Sequence, residues 1–147
     1  METIQARIKD KTLVVFDGTC SLCDNFVNWI IANDLSENII LSASSDEKAR
    51  YLLNVAGKMD YTTYDALTST TIVVMDQNKV VHIESEAFIA ICRSLGGWLV
   101  VIALVLSIIP RSFRDICYRI VSRHRYSVFG RKELCSQLDS SKASKYL

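Results

Sequence analysis

The sequence predicts an α/β fold with the element order β-α-β-α-β-β-α, followed by further helix. Three observations predict it. Short apolar runs rich in β-branched residues occur at 13–16, 39–41 and 71–75. Apolar positions at helical spacing fill the stretches that follow the first two. Turn chemistry at Asp76-Gln77-Asn78-Lys79 joins two strand-like runs into a hairpin. The length of 147 residues corresponds to one domain. A chain of this size buries roughly two thirds of its unfolded surface, so it needs no metal or disulfide staple to fold.

The elements follow in order. Leu13-Val14-Val15-Phe16 reads as a buried strand that stops at Asp17-Gly18. Leu22, Phe26, Trp29, Ile30 and Asn33 then fall at helical spacing, with Val27 and Ile31 widening the apolar face, which predicts a helix over about Ser21–Asn33. Ile39-Ile40-Leu41 is the second strand. Ser44-Ser45-Asp46-Glu47 looks like a helix start, and Ala49, Leu52, Leu53 and Ala56 continue that helix up to Gly57. Residues 58–70 are polar and read as a loop with at most one helical turn. Residues 71–75 and 80–83 form the hairpin. Ser85 is placed as the cap of the next helix, with Phe88, Ile89 and Cys92 on its buried face, and Gly96-Gly97 breaks that helix.

Residues 98–109 are the most apolar stretch, closed by Pro110. About a dozen residues is short of the roughly 20 that a spanning helix needs. A helix buried in the core is the expectation, with peripheral or re-entrant membrane contact as the alternative. After Pro110 the chain is basic: Arg111, Arg114, Arg119, Arg123, Arg125, Arg131 and Lys132 stand against Asp115 and Glu133. A solvated helix face is the plain reading; an anionic partner, an anionic membrane surface or a positive field over a thiolate are the functional ones. Residues 136–147 read as a frayed tail.

Charge and cysteine usage exclude several classes. Seventeen basic against sixteen acidic residues give a net charge of +1, so chain-wide binding of nucleic acid is not indicated. Five cysteines cannot all pair within one chain, and the polar start has no apolar signal core. The expected compartment is the reducing cytoplasm, where cysteines serve catalysis, metals or the core.

The chemistry sits in Asp17-Gly18-Thr19-Cys20-Ser21-Leu22-Cys23. A Cys-x-x-Cys spacing alone is weak evidence, but this one directly follows a buried strand and opens an amphipathic helix. Cys20 then lies near unpaired N–H groups at the helix N-terminus, whose partial positive charge favours a thiolate. Cys23 lies about one helical turn later on the same face. In that arrangement Cys20 attacks a substrate disulfide and Cys23 resolves the mixed disulfide. Asp17 is either a proton relay beside the thiols or a structural turn residue. Two other readings compete: two plain buried cysteines, or half of a zinc site. Among Cys92, Cys117, Cys135, His82 and His124, no two lie two to five residues apart, which counts against zinc. Cys92 and Cys117 fall on apolar helix faces and read as core.

These residues resemble the DCC thiol-disulfide oxidoreductase family, named for Asp-x-x-Cys-x-x-Cys and matched by Asp17, Cys20 and Cys23. The likeness continues through Ser85-Glu86-Ala87, Leu95-Gly96-Gly97-Trp98 and Pro110-Arg111. It ends with Arg125-Tyr126-Ser127-Val128-Phe129-Gly130 followed by Cys135. It implies a thioredoxin-like core over about 12–95, a helical C-terminal extension over about 96–135 and a tail over 136–147. It also implies exchange with a protein or small-molecule thiol or disulfide substrate, with no bound cofactor. The cis-proline that thioredoxins place before the third strand is missing: the equivalent position is near Thr70 or Thr71, and the one proline is Pro110. Cys135, which matches the family's terminal cysteine, is either a third redox thiol or a core residue, and Arg125 is a candidate partner for the Cys20 thiolate. The rival class is a non-enzymatic interaction or membrane-surface module with a structural or zinc-bound dithiol.

Overall fold

A computed structural model describes residues 2–17 and 21–129. A short helix α1 (Glu2–Arg7) leads into β1 (Thr12–Phe16), α2 (Ser21–Asn33), β2 (Ile39–Ala43), α3 (Glu47–Val55) and α4 (Tyr61–Thr68). The hairpin β3 (Val73–Met75) and β4 (Val81–Ile83) comes next, then α5 (Glu84–Leu95), α6 (Leu99–Ile108) and α7 (Arg111–Phe129).

The four strands form one sheet in the order β2-β1-β3-β4. β1 pairs in parallel with β2 and antiparallel with β3, which pairs antiparallel with β4. A parallel pair needs a crossover, and α2 supplies it. This order and these directions make a thioredoxin-like core.

Every residue of β1 and β2 is buried because helices cover both faces of the sheet. Successive side chains alternate between faces. Val14, Phe16, Leu41 and Val74 face a cluster with Val27 and Ile30 of α2 and Ile91 of α5. Leu13, Val15, Ile40 and Val73 face the other side, against Leu52 and Leu53 of α3 and Tyr64 of α4. This two-sided burial explains why β1 reads as an unbroken apolar run. Asp34, itself buried, turns the chain from α2 into β2 by accepting the N–H groups of Asn38 at 2.9 Å and Ile39 at 3.2 Å.

Four expectations need correction. Residues 61–68 form two turns of helix rather than loop, because Tyr64 drives its ring into the core and donates its hydroxyl to Ser44 O at 3.1 Å. Burial pushes that phenol up to about 12. Ser85 does not cap α5: the helix begins one residue earlier, and the Ser85 hydroxyl donates to the buried Asp115 carboxylate instead. Residues 98–109 are not a core helix. α6 buries Leu99 and Ala103 only, and Trp98, Val101, Leu104, Val105 and Ile108 are exposed. Cys117 is likewise exposed, whereas Cys92 is fully buried as expected. No described helix is long and apolar enough to cross a membrane.

The basic face of α7 is also less solvated than its composition suggests. Arg114 donates to Glu86 at 2.7 Å with its side chain only 9% exposed, and Arg119 grips Glu84 through Nε at 2.9 Å and Nη2 at 3.2 Å. With Ser85 and Asp115, these contacts pin α7 across the first turn of α5.

Candidate active site

β1 delivers the chain to one end of the sheet and stops at Asp17, which is partly buried. α2 begins at Ser21, and its first turn places Cys23 in the core, 4% exposed. Cys20, Cys135 and residues 136–147 lie outside the described residues, as does the side chain of Arg125. Of the three predicted site residues, Asp17 and Cys23 therefore stand at the junction of β1 and α2.

Cys23 lines a cavity of about 220 Å³ with almost wholly apolar walls. α2 contributes Leu22 and Phe26, and the segment before β3 contributes Ile72. α5 contributes Glu84, Phe88 and Ile91, while α7 closes the cavity with Tyr118, Val121 and Ser122. Phe26, Trp29 and Phe88 stack nearly parallel at centroid distances of 5.6–6.4 Å, fixing the angle between α2 and α5 beside it.

The segment before β3 is where a thioredoxin carries its cis-proline. Here α7 holds it. The Tyr118 hydroxyl accepts the Ile72 N–H at 3.1 Å and lies 3.0 Å from Thr71 Oγ1, and Ser122 donates to Thr70 O at 2.7 Å. Thr71 Oγ1 also accepts the Glu84 N–H at 3.1 Å. Glu84 has φ of 54°, a left-handed conformation unfavourable for a residue with a Cβ. Its N–H bond to Thr71 and its paired carboxylate hold it there. The backbone of Thr70 and Ile72, next to the Cys23 cavity, is thus hydrogen-bonded by side chains of α7.

Sequence reasoning missed Glu84, Phe88, Tyr118 and Ser122. A signal was present: acidic Glu84 and Glu86 flank Ser85, and Arg114 and Arg119 flank Asp115 on a helix. That complementarity predicts the docking of α7, though not the cavity that it closes.

The remaining thiols are chemically distinct. Burial pushes Cys92 up to about 11, which keeps it a neutral core thiol. Among the described residues no group of three or more His, Cys, Asp or Glu side chains is arranged to hold a metal ion. His82 is engaged with Asp76 at 2.9 Å, and His124 with Ile120 O at 2.8 Å.

The family model of DCC1-like thiol-disulfide oxidoreductases matches residues 14–131, from β1 to beyond α7. A chloroplastic DCC family protein of Arabidopsis thaliana is 29% identical over 125 residues, 85% of this chain and 69% of that protein. An uncharacterized protein of Bacillus subtilis, YuxK, is 28% identical over 123 residues, 84% of each chain. No solved structure matches the chain. The match takes in the strand, the dithiol motif and the helices that wall the cavity; this chain belongs to the DCC1-like thiol-disulfide oxidoreductase family.

Proposed function

We propose that this protein exchanges thiols and disulfides through Cys20 and Cys23. The Cys20 thiolate, favoured by the N-terminal end of α2, attacks one sulfur of a substrate disulfide. The new S–S bond joins Cys20 to the substrate, and the other substrate sulfur leaves as a thiolate. Cys23 then gives its proton to Asp17 and attacks the Cys20 sulfur. The second substrate sulfur leaves as a thiolate that takes up the proton held by Asp17, and the dithiol becomes a disulfide. Two electrons pass from the dithiol to the substrate; the reverse sequence oxidises a substrate dithiol.

One observation carries the reading: Cys23 lies buried in the first turn of α2, directly after the buried strand β1 and against an apolar cavity. A resolving thiol needs this shelter, since limited access keeps it from attacking other disulfides before the mixed disulfide forms. The family name supports the reaction class.

The test is a trapping experiment with oxidised glutathione. Cys23→Ser should accumulate a glutathione adduct at Cys20, and Cys20→Ser should form none at Cys23. Asp17→Asn should slow the second step and spare the first. An adduct that forms equally well on Cys23 in the Cys20→Ser variant would reverse the roles. The absence of any adduct on Cys20 would end the proposal.

A further inference from the structure

α6 shows solvent a side with no charge on it. Trp98, Val101, Leu104, Val105 and Ile108 share one face and are exposed, Trp98 by 66% and Ile108 by 83%. α7 continues the pattern. Phe113, Ile116 and Ile120 are exposed on the side opposite the buried Asp115. Rows of exposed apolar side chains on each of two consecutive helices exceed the scattered exposure normal for a water-facing surface.

The charge carried by α6 and α7 themselves is mainly positive, although Arg111, Arg114 and Arg119 are ion-paired with Asp115, Glu86 and Glu84. Residues 96–129 carry five arginines and one acidic residue, Asp115, which is buried. Arg111, Arg119 and Arg123 are exposed on α7; Arg111 lies beside Asp115 and Arg119 beside Glu84, and Arg123 adjoins the row of Ile116 and Ile120. We infer that α6 and α7 lay this face on an anionic phospholipid bilayer, with the apolar side chains at the acyl boundary and the arginines among the headgroups. α6 has ten residues, about 15 Å of helix by its rise per residue, against about 30 Å of hydrocarbon. The contact therefore lies in the interface plane.

Charge also decides against a second copy as the occupant. Two copies meeting through this face would bring arginines onto arginines with no exposed acid between them. The inference stands apart from the dithiol chemistry. If both hold, α7, which closes the Cys23 cavity with Tyr118 and Val121, keeps that cavity beside the lipid surface.

The test uses the full chain with vesicles of phosphatidylcholine alone and of phosphatidylcholine with phosphatidylglycerol. The chain should float with the mixed vesicles and not with the neutral ones. Trp98 emission should shift to the blue, a shift that Trp98→Phe abolishes. Val105→Asp, at an exposed position, should leave the circular dichroism unchanged and cut the bound fraction at least about tenfold. Arg111→Gln and Arg123→Gln should each weaken binding about fivefold. Failure to float with the anionic vesicles at low salt would overturn the inference. So would equal binding to both vesicle types, or a solution dimer that Val105→Asp dissociates.

Discussion

Replacing Glu86 by glutamine removes a charge but almost no volume, so its cost reads the ion pair that pins α7 to α5. Glu86 Oε1 accepts from Arg114 Nη2 at 2.7 Å, and the two side chains are 29% and 9% exposed. Arg114 Nε and Nη1 are buried without a hydrogen-bond partner. The carboxylate is therefore the principal compensation for a nearly buried guanidinium. Removing one partner of a fully buried pair costs roughly 3–5 kcal/mol. Water reaches the Glu86 side, so a cost of about 2–3 kcal/mol is expected for Glu86→Gln. Arg114→Met should behave differently. It deletes the charge together with two unsatisfied donors, whose desolvation costs about 1–3 kcal/mol each, and it leaves Glu86 able to turn towards solvent. Its stability should fall within about 1 kcal/mol of the parent. The double variant should match Arg114→Met, with the glutamine no longer costly. Urea unfolding followed by circular dichroism measures all three, with the slope m checked for constancy. The reasoning fails if Glu86→Gln is neutral, or if Arg114→Met costs as much as Glu86→Gln.

Three further outcomes follow from the same contacts. Tyr118→Phe takes the hydroxyl partner from the Ile72 N–H and should cost about 1–2 kcal/mol, with faster hydrogen exchange at the Ile72 amide; unchanged protection there would contradict the role given to α7. Burial pushes the Asp115 carboxyl up, but the Ser85 hydroxyl and N–H and the Arg111 guanidinium outweigh it and hold the group below its ordinary value of 3.8. Its folded pKa being depressed, the stabilisation is fully present above 3.8 and is lost as pH falls through the lower folded value. Ser85→Ala should flatten that acid limb, and an acid limb of unchanged steepness would exclude the contact. In the native protein an alkylating reagent read by peptide mass should modify Cys117 and spare Cys92, which is buried and raised to about 11; comparable rates at the two would contradict the packing of α5.

What the sequence made legible follows from how local each signal is. β1, α2 and β2 were readable because their burial is set by neighbours in the chain and by a sheet covered on both faces. The region 61–68 was missed because Thr and Tyr favour strands and loops, and one buried ring, Tyr64, overrides that preference. α6 was misjudged for a different reason. A helix apolar on all sides reads as buried, but periodicity cannot say how many neighbours the fold supplies, and here they bury Leu99 and Ala103 fully and Ile102 and Leu106 in part. At the site, Asp17 and Cys23 were legible as a local motif beside a strand end. Glu84, Phe88, Tyr118 and Ser122 were not, because they arrive from two helices whose meeting is a tertiary event.

The measurement closest to the central claim is the redox equilibrium of the Cys20–Cys23 pair. The protein is equilibrated in glutathione buffers of graded potential, its thiols are trapped by alkylation, and the oxidised fraction is read by peptide mass, with Cys20→Ser and Cys23→Ser as controls. The expected result is a reversible two-electron transition confined to that pair, its midpoint inside the roughly −270 to −120 mV range of dithiol proteins. A pair that never closes to a disulfide in any buffer would contradict the proposed exchange chemistry.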